Sequence, residues 1–221
     1  IKKYTDGLSN FIMNCETPMT IAIQGWWGTG KSSIMKQVQE SLKEDSVEIV
    51  EFNTWQYSQF HMEDKLALSL ISELIKELHG EPKLIEKLFT AAIIPIIKEV
   101  PAKAISKAIS KTGVNGEVVV DNVIAAFTKQ VSGIKEFKEE FQKLVDKKTY
   151  TKTTDGKKRN KRVVVFIDDL DRLSPVKAVE LLEVLKLFLD CEGCVFVLAI
   201  DSEIVIKGIY DKYDELIQED K

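Results

Sequence analysis

Arginine is scarce in this 221-residue chain: Arg159, Arg162 and Arg172 are the only three. An arginine finger supplied from within the chain must therefore be one of them. Histidine (His61, His79) and cysteine (Cys15, Cys191, Cys194) are as rare, and three cysteines make no secreted disulfide framework. Cys191 and Cys194 have the spacing of half a zinc or redox site. No second pair exists, however, and both histidines lie far off in sequence, so small buried or turn residues are the plainer reading. A membrane span needs roughly 20 apolar residues; residues 88–97 give only a short, nearly apolar stretch broken by Pro95. Positive charge is not in excess: the net charge of −4 argues against a globally basic nucleic-acid binder. No signal-peptide pattern is present, and a first residue of Ile1 rather than Met reads as a trimmed chain. The 44% of hydrophobic residues is enough for one sizeable core, so a single domain over 1–221 is expected.

Gly25-Trp26-Trp27-Gly28-Thr29-Gly30-Lys31-Ser32 spells a phosphate-binding loop. Its flanks supply the required context: Thr20 to Gln24 reads as a short buried strand, and Ser33 to Val38 opens an amphipathic helix. A strand, a glycine loop and a helix in that order aim backbone N–H groups and the positive helix end at polyphosphate. Lys31 is expected to reach the β- and γ-phosphates, and the Ser32 hydroxyl to sit on Mg²⁺. The nucleotide-binding set is then Gly25, Trp26, Trp27, Gly28, Thr29, Gly30, Lys31, Ser32 and Ser33.

Elsewhere, Leu8, Phe11 and Ile12 give a first helix an apolar face, and Val47 to Phe52 alternates like a second strand. Met62 to His79 predicts an amphipathic helix with Leu66, Leu70, Ile71, Leu74, Ile75 and Leu78 on one face, ended by Gly80 and Pro82. Residues 100–111 bring Lys103, Lys107 and Lys111 round beside Ala104, Ile105, Ala108 and Ile109. Over 88–111 this allows peripheral contact with an anionic membrane or a partner; the plainer alternative is a helix packed on the domain with a solvated lysine edge. A turn at 113–116 and one or two helices over 121–145 follow. Residues 147–162 hold eight basic residues against Asp155, which suits a flexible, solvated connector or, as a second reading, contact with phosphate backbones.

The run Val163 to Ile167 predicts a parallel central strand buried on both faces, delivering Asp168 and Asp169 at its carboxyl end. Asp168 is the natural partner for Mg²⁺, and Asp169 is placed to polarise an attacking water. Arg172 is either a transition-state charge partner, in cis or across a subunit boundary, or an ion pair with Asp171 or a neighbouring acid. Ser174 caps a helix with Pro175 in its first turn and a stripe of Val179, Leu182, Leu185 and Leu189. Val195 to Ile200 predicts another buried strand ending at Asp201, which senses the γ-phosphate, caps the helix from Ser202 to Tyr210, or does both.

These residues resemble the KAP P-loop NTPases. The resemblance is carried by Gly25 to Ser33, by Phe52-Asn53-Thr54-Trp55-Gln56-Tyr57, by Val164 to Pro175 with its Asp-Asp-Leu-Asp-Arg, and by Phe196 to Asp201, in family order over about four-fifths of the chain. It implies a three-layer, additional-strand α/β fold: a central, mostly parallel sheet flanked by helices, with a helical insertion over 81–150 between the nucleotide motifs. It also implies ATP with Mg²⁺ as the nucleotide. No Asn/Thr-Lys-x-Asp guanine-reading motif is present, because Asn160-Lys161-Arg162-Val163 lacks the acid. Trp55 and Tyr57 line the site or a partner surface, or pack in the core. Many relatives carry transmembrane helices between the motifs, and here only 88–111 falls there. The family's last strand and C-terminal helices are expected beyond Lys221.

The expectation that follows is a slow ATPase acting as a nucleotide-dependent conformational switch, with a protein partner or a second copy as its reader. It would be cytoplasmic or peripheral to the inner face of the membrane; phage defence is the setting the family suggests for a bacterial relative. The alternative is an ATP-holding assembly scaffold with little turnover.

Overall fold

The computed structural model describes residues 2–42, 46–56, 66–80, 135–153, 156–159, 161–186 and 190–218. The basic amphipathic stretch over 88–111, the turn at 113–116, Tyr57 and Leu189 lie outside the described residues, as does most of the 81–150 insertion. No helix among the described residues is long and apolar enough to cross a membrane.

Four strands form one sheet: β1 (Met19–Gln24), β2 (Val47–Asn53), β5 (Arg162–Asp168) and β6 (Cys194–Ile200). Their spatial order is β1-β6-β5-β2, and every neighbouring pair is parallel. The strand after the loop-bearing β1 in space is therefore the last in sequence, and β6 separates the loop strand from the acid-bearing β5. This is the additional-strand arrangement of an α/β P-loop fold.

Strand β5 is the sheet's interior. Val163 to Ile167 are all buried, and alternate residues face opposite layers, as period-two geometry requires. Val164 and Phe166 pack with Val195 and Val197 against Ile12 of α1 (Lys2–Asn14) and Met35 and Val38 of α2 (Lys31–Ser41). Val163, Val165 and Ile167 pack with Phe196 and Leu198 against the other layer. That layer is built from α3 (Leu66–Glu77), α4 (residues 135–149) and α5 (Pro175–Leu185). All six stripe residues expected for α3 are buried. Its end is closed by His79 in the left-handed conformation (φ 56°) rather than by Gly80, whose N–H reaches Ile75 O at 2.7 Å.

Two sequence expectations are corrected here. Strand β1 is not a buried strand: it lies at the edge of the described sheet, with Ile21 and Ile23 half-buried and Thr20 and Ala22 exposed. Phe11 is 48% exposed, because α1 turns Thr5 and Ser9 as well as Ile12 inward, and Ser9 bonds Ser41 of α2. Within the basic segment, β3 (Tyr150–Thr153) and β4 (Gly156–Arg159) pair antiparallel as a two-stranded hairpin. Two of its flanking cations serve the fold directly. Lys148 pairs with Glu48 at 2.9 Å, and Arg162 donates to Ile12 O and Cys15 O at 2.6 and 3.1 Å, closing the C-terminal end of α1.

The last helix, α6 (Ser202–Gln218), kinks at Tyr213 and packs on α5. A β-carbon at Gly208 would lie 2.1 Å from Pro175 O, so the two helices meet backbone to backbone at that glycine. Glu183 ties the far end, accepting from Lys212 Nζ at 2.6 Å and from the Tyr213 hydroxyl.

Candidate phosphate-binding site

Parallel strands place their carboxyl ends along one edge of the sheet, where open α/β folds hold ligands. The loop after β1, Asn53 at the end of β2, the acids after β5 and Asp201 after β6 all fall on that edge.

The loop begins with Gly25 N donating to Ile200 O at 3.2 Å, which ties it to the end of β6. Thr29 then closes a tight turn on Trp26, through its N–H at 3.3 Å and its hydroxyl at 2.7 Å. The glycines are needed for two different reasons. A β-carbon at Gly25 would lie 2.5 Å from Thr29 Oγ1, whereas Gly28 and Gly30 have open space but adopt φ of 81° and 88°. Gly30 sits at the N-cap of α2 without a side-chain cap, leaving the first-turn amides and the positive helix end to an anion. Trp26 and Trp27 are 68% and 74% exposed, so they frame the loop from outside and are not core residues.

Lys31 is folded back onto this loop. Its ammonium donates to Gly25 O at 2.8 Å, Trp26 O at 3.0 Å and Asp171 Oδ2 at 2.6 Å. Asp171 belongs to the short 3₁₀ turn Leu170–Arg172 that follows β5.

The acids are held by β2 and by their own turn. Asn53 is the register partner of Asp168, so β2 runs level with β5 to its last residue. Thr54, fully buried, donates from its N–H to Asp168 O (3.2 Å) and from its hydroxyl to Asp169 O (2.7 Å). Asp169 adopts a left-handed φ of 60°, a strain of about 1–2 kcal/mol for a residue with a β-carbon. That conformation turns its carboxylate inward, where Oδ2 accepts from Asn53 Nδ2 at 2.9 Å and Oδ1 from Arg172 Nε at 2.7 Å. The Arg172 guanidinium lies 4.4 Å from the centre of the Trp55 ring, which is 38% exposed. Trp55 is thus neither core nor isolated. The ion pair foreseen for Arg172 exists, and its acid is Asp169 rather than Asp171.

Ser32 and Asp168 line one cavity of about 350 Å³ together with Lys36, Glu51 and Asn53. Asp168 also accepts the Asp169 N–H on Oδ1 at 2.8 Å. Asp201 sits next to the start of the loop through Ile200, and its Oδ1 caps α6 by accepting from Glu203 N at 3.0 Å. Cys191 and Cys194 are both buried, and the Cys194 N–H donates to Cys191 O at 3.2 Å in a turn. Among the described residues no group of three or more His, Cys, Asp or Glu side chains could hold a metal ion.

Sequence reasoning singled out the loop and the acids but gave no role in the site to Asn53 or Thr54, and offered Asp171 only as an ion-pair partner for Arg172. The signal for the first two was their place just after β2, in the segment that ends at Trp55.

No curated protein matches the sequence. The family model of the KAP family P-loop domain does, over residues 1–221, the whole length given. Its extent agrees with a sheet that puts a glycine loop and paired acids on one edge with a strand between them, and the chain belongs to the KAP family of P-loop domains.

Proposed function

We propose that the chain binds ATP with Mg²⁺ on this edge, hydrolyses it slowly, and acts as a nucleotide-dependent switch. The observation that carries the reading is the joint lining of one cavity by Ser32 and Asp168, at the start of α2 and the end of β5. A hydroxyl and a carboxylate are hard oxygen donors suited to a magnesium ion, which would supply Lewis-acid charge at the phosphate oxygens. The uncapped N-terminus of α2 and the Gly25–Gly30 backbone take the phosphates, and Lys31 neutralises their charge. Asp169 is the candidate to orient water, Arg172 to answer charge in the transition state, and Asp201 to sense the terminal phosphate. Each Asp169 oxygen already accepts one hydrogen bond and the residue is buried, so a water must reach a remaining lone pair, or displace one of these donors, before the residue can act. That requirement favours slow, conditional turnover. It equally supports a second reading, in which the chain holds ATP as a scaffold and turns over little.

Phosphate release and ATP binding by wild type, Lys31→Ala and Asp169→Asn decide between them. Loss of binding in the first variant, with binding kept and release lost in the second, supports the switch. Binding without release in wild type supports the scaffold. No binding at all removes both.

A further inference from the structure

We infer that Asp171 is a latch on Lys31: its carboxylate holds the place of a phosphate oxygen until a polyphosphate displaces it. The inference rests on the nucleotide reading above and extends it to a residue that the loop and the paired acids leave without a role. Lys31 and Asp171 are only 7% and 6% exposed, and their charged atoms lie 2.6 Å apart. An ammonium has three donors, and the Lys31 donors reach Gly25 O, Trp26 O and Asp171 Oδ2. In this arrangement none is left for phosphate.

Two of those acceptors are loop carbonyls, which bend the lysine over its own loop. The third alone comes from another element, and it alone carries charge. A phosphate oxygen is the same kind of acceptor as a carboxylate oxygen, so entry of a β- or γ-phosphate sets the two in direct competition. Asp171 also shares its 3₁₀ turn with Arg172, whose N–H bonds Asp169 O at 3.0 Å and whose Nε holds the Asp169 carboxylate. Release of Asp171 therefore disturbs the turn that keeps Asp169 occupied. Filling the loop and freeing the acid become one event.

The test uses Asp171→Asn, which keeps size and an acceptor oxygen but removes the charge, with Asp171→Ser as a second variant should the first fail to fold. Two readouts are taken on the full chain: acylation of the Lys31 amine mapped by mass spectrometry, and affinity for Mg·ATP and for AMP. Expected are several-fold faster Lys31 acylation and roughly 10- to 100-fold tighter Mg·ATP binding, the worth of a hydrogen bond to a charged group. AMP, lacking β- and γ-phosphates, keeps its affinity, and Asp171→Glu returns both readouts toward wild type. Unchanged acylation overturns the latch. So does faster acylation with Mg·ATP affinity equal or weaker, which makes Asp171 a structural partner only. Faster acylation with no Mg·ATP binding by any form, wild type included, overturns the nucleotide reading and the competition with it, while leaving the ion pair demonstrated.

Discussion

Asn53 donates from Nδ2 to Asp169 Oδ2 at 2.9 Å, reaching from the last residue of β2 to the first residue past β5. The same side chain accepts the Trp55 N–H on Oδ1 at 2.9 Å, so its amide orientation is fixed from both sides. Of the two donors on Asp169, this neutral one is the weaker, and it is the one expected to give way to water. Asn53→Ala should therefore raise phosphate release about two- to fivefold, the equivalent of one neutral hydrogen bond, with ATP affinity unchanged. Steady-state phosphate release beside equilibrium ATP binding checks this; a fall in release would mean that Asn53 orients Asp169 productively.

Arg172 grips Asp169 with its Nε and rests its plane on Trp55. A lysine keeps the charge but not the planar fork or the stack. Arg172→Lys should lower phosphate release to within about a factor of three of the level of Arg172→Ala, because geometry and not charge alone is what the site uses. Recovery of wild-type release by the lysine variant would contradict this.

Gly25 and Gly28 answer to different constraints, and alanine at each separates them. Gly25→Ala drives a methyl into Thr29 Oγ1 and should weaken ATP binding strongly, with partial recovery when Thr29→Gly is added. Gly28→Ala meets open space and incurs only the left-handed backbone strain, about 1–2 kcal/mol of stability. Isothermal titration and urea unfolding on the three variants measure both effects.

Ser32 and Asp168 are separated in sequence but share a cavity wall. Ser32→Ala and Asp168→Asn should each abolish the gain in ATP affinity that Mg²⁺ gives while leaving Mg²⁺-free binding close to wild type. Titrations with magnesium and with chelator supply the comparison.

Gly208 is remote from the phosphates and lets α6 lie on the first turn of α5. Gly208→Ala should cost about 1–3 kcal/mol or more in urea unfolding, as overpacking does, with no change in ATP affinity.

Much of this fold and site was legible from contiguous signals. The loop reads directly because its eight residues carry the chemistry in line, and β5 reads because five successive apolar residues need burial on both faces. Strand β1 misled, since a short apolar run looks the same at a sheet's edge as at its centre, and its neighbours in space are fixed by distant pairing. The lysine-rich segment hid a hairpin for a related reason. Its register sets Lys152 opposite Lys157, a like-charge pair that charge patterning argues against. Which acid meets which cation was also out of reach. Asp168, Asp169 and Asp171 lie within three positions of one another, and the left-handed turn at Asp169 sends the last of them to Lys31, 140 residues away. Arg162, the first residue of the acid-bearing strand, instead closes α1 at Ile12 and Cys15.

The Trp55 indole, partly open to solvent, is two contacts from the Asp169 carboxylate, with one guanidinium between them. Covering that ring removes water from the cation and deepens the stack, tightening the hold on the acid; drawing the ring away loosens it. A contact on the outer face would thus reach the interior acid through a single planar side chain.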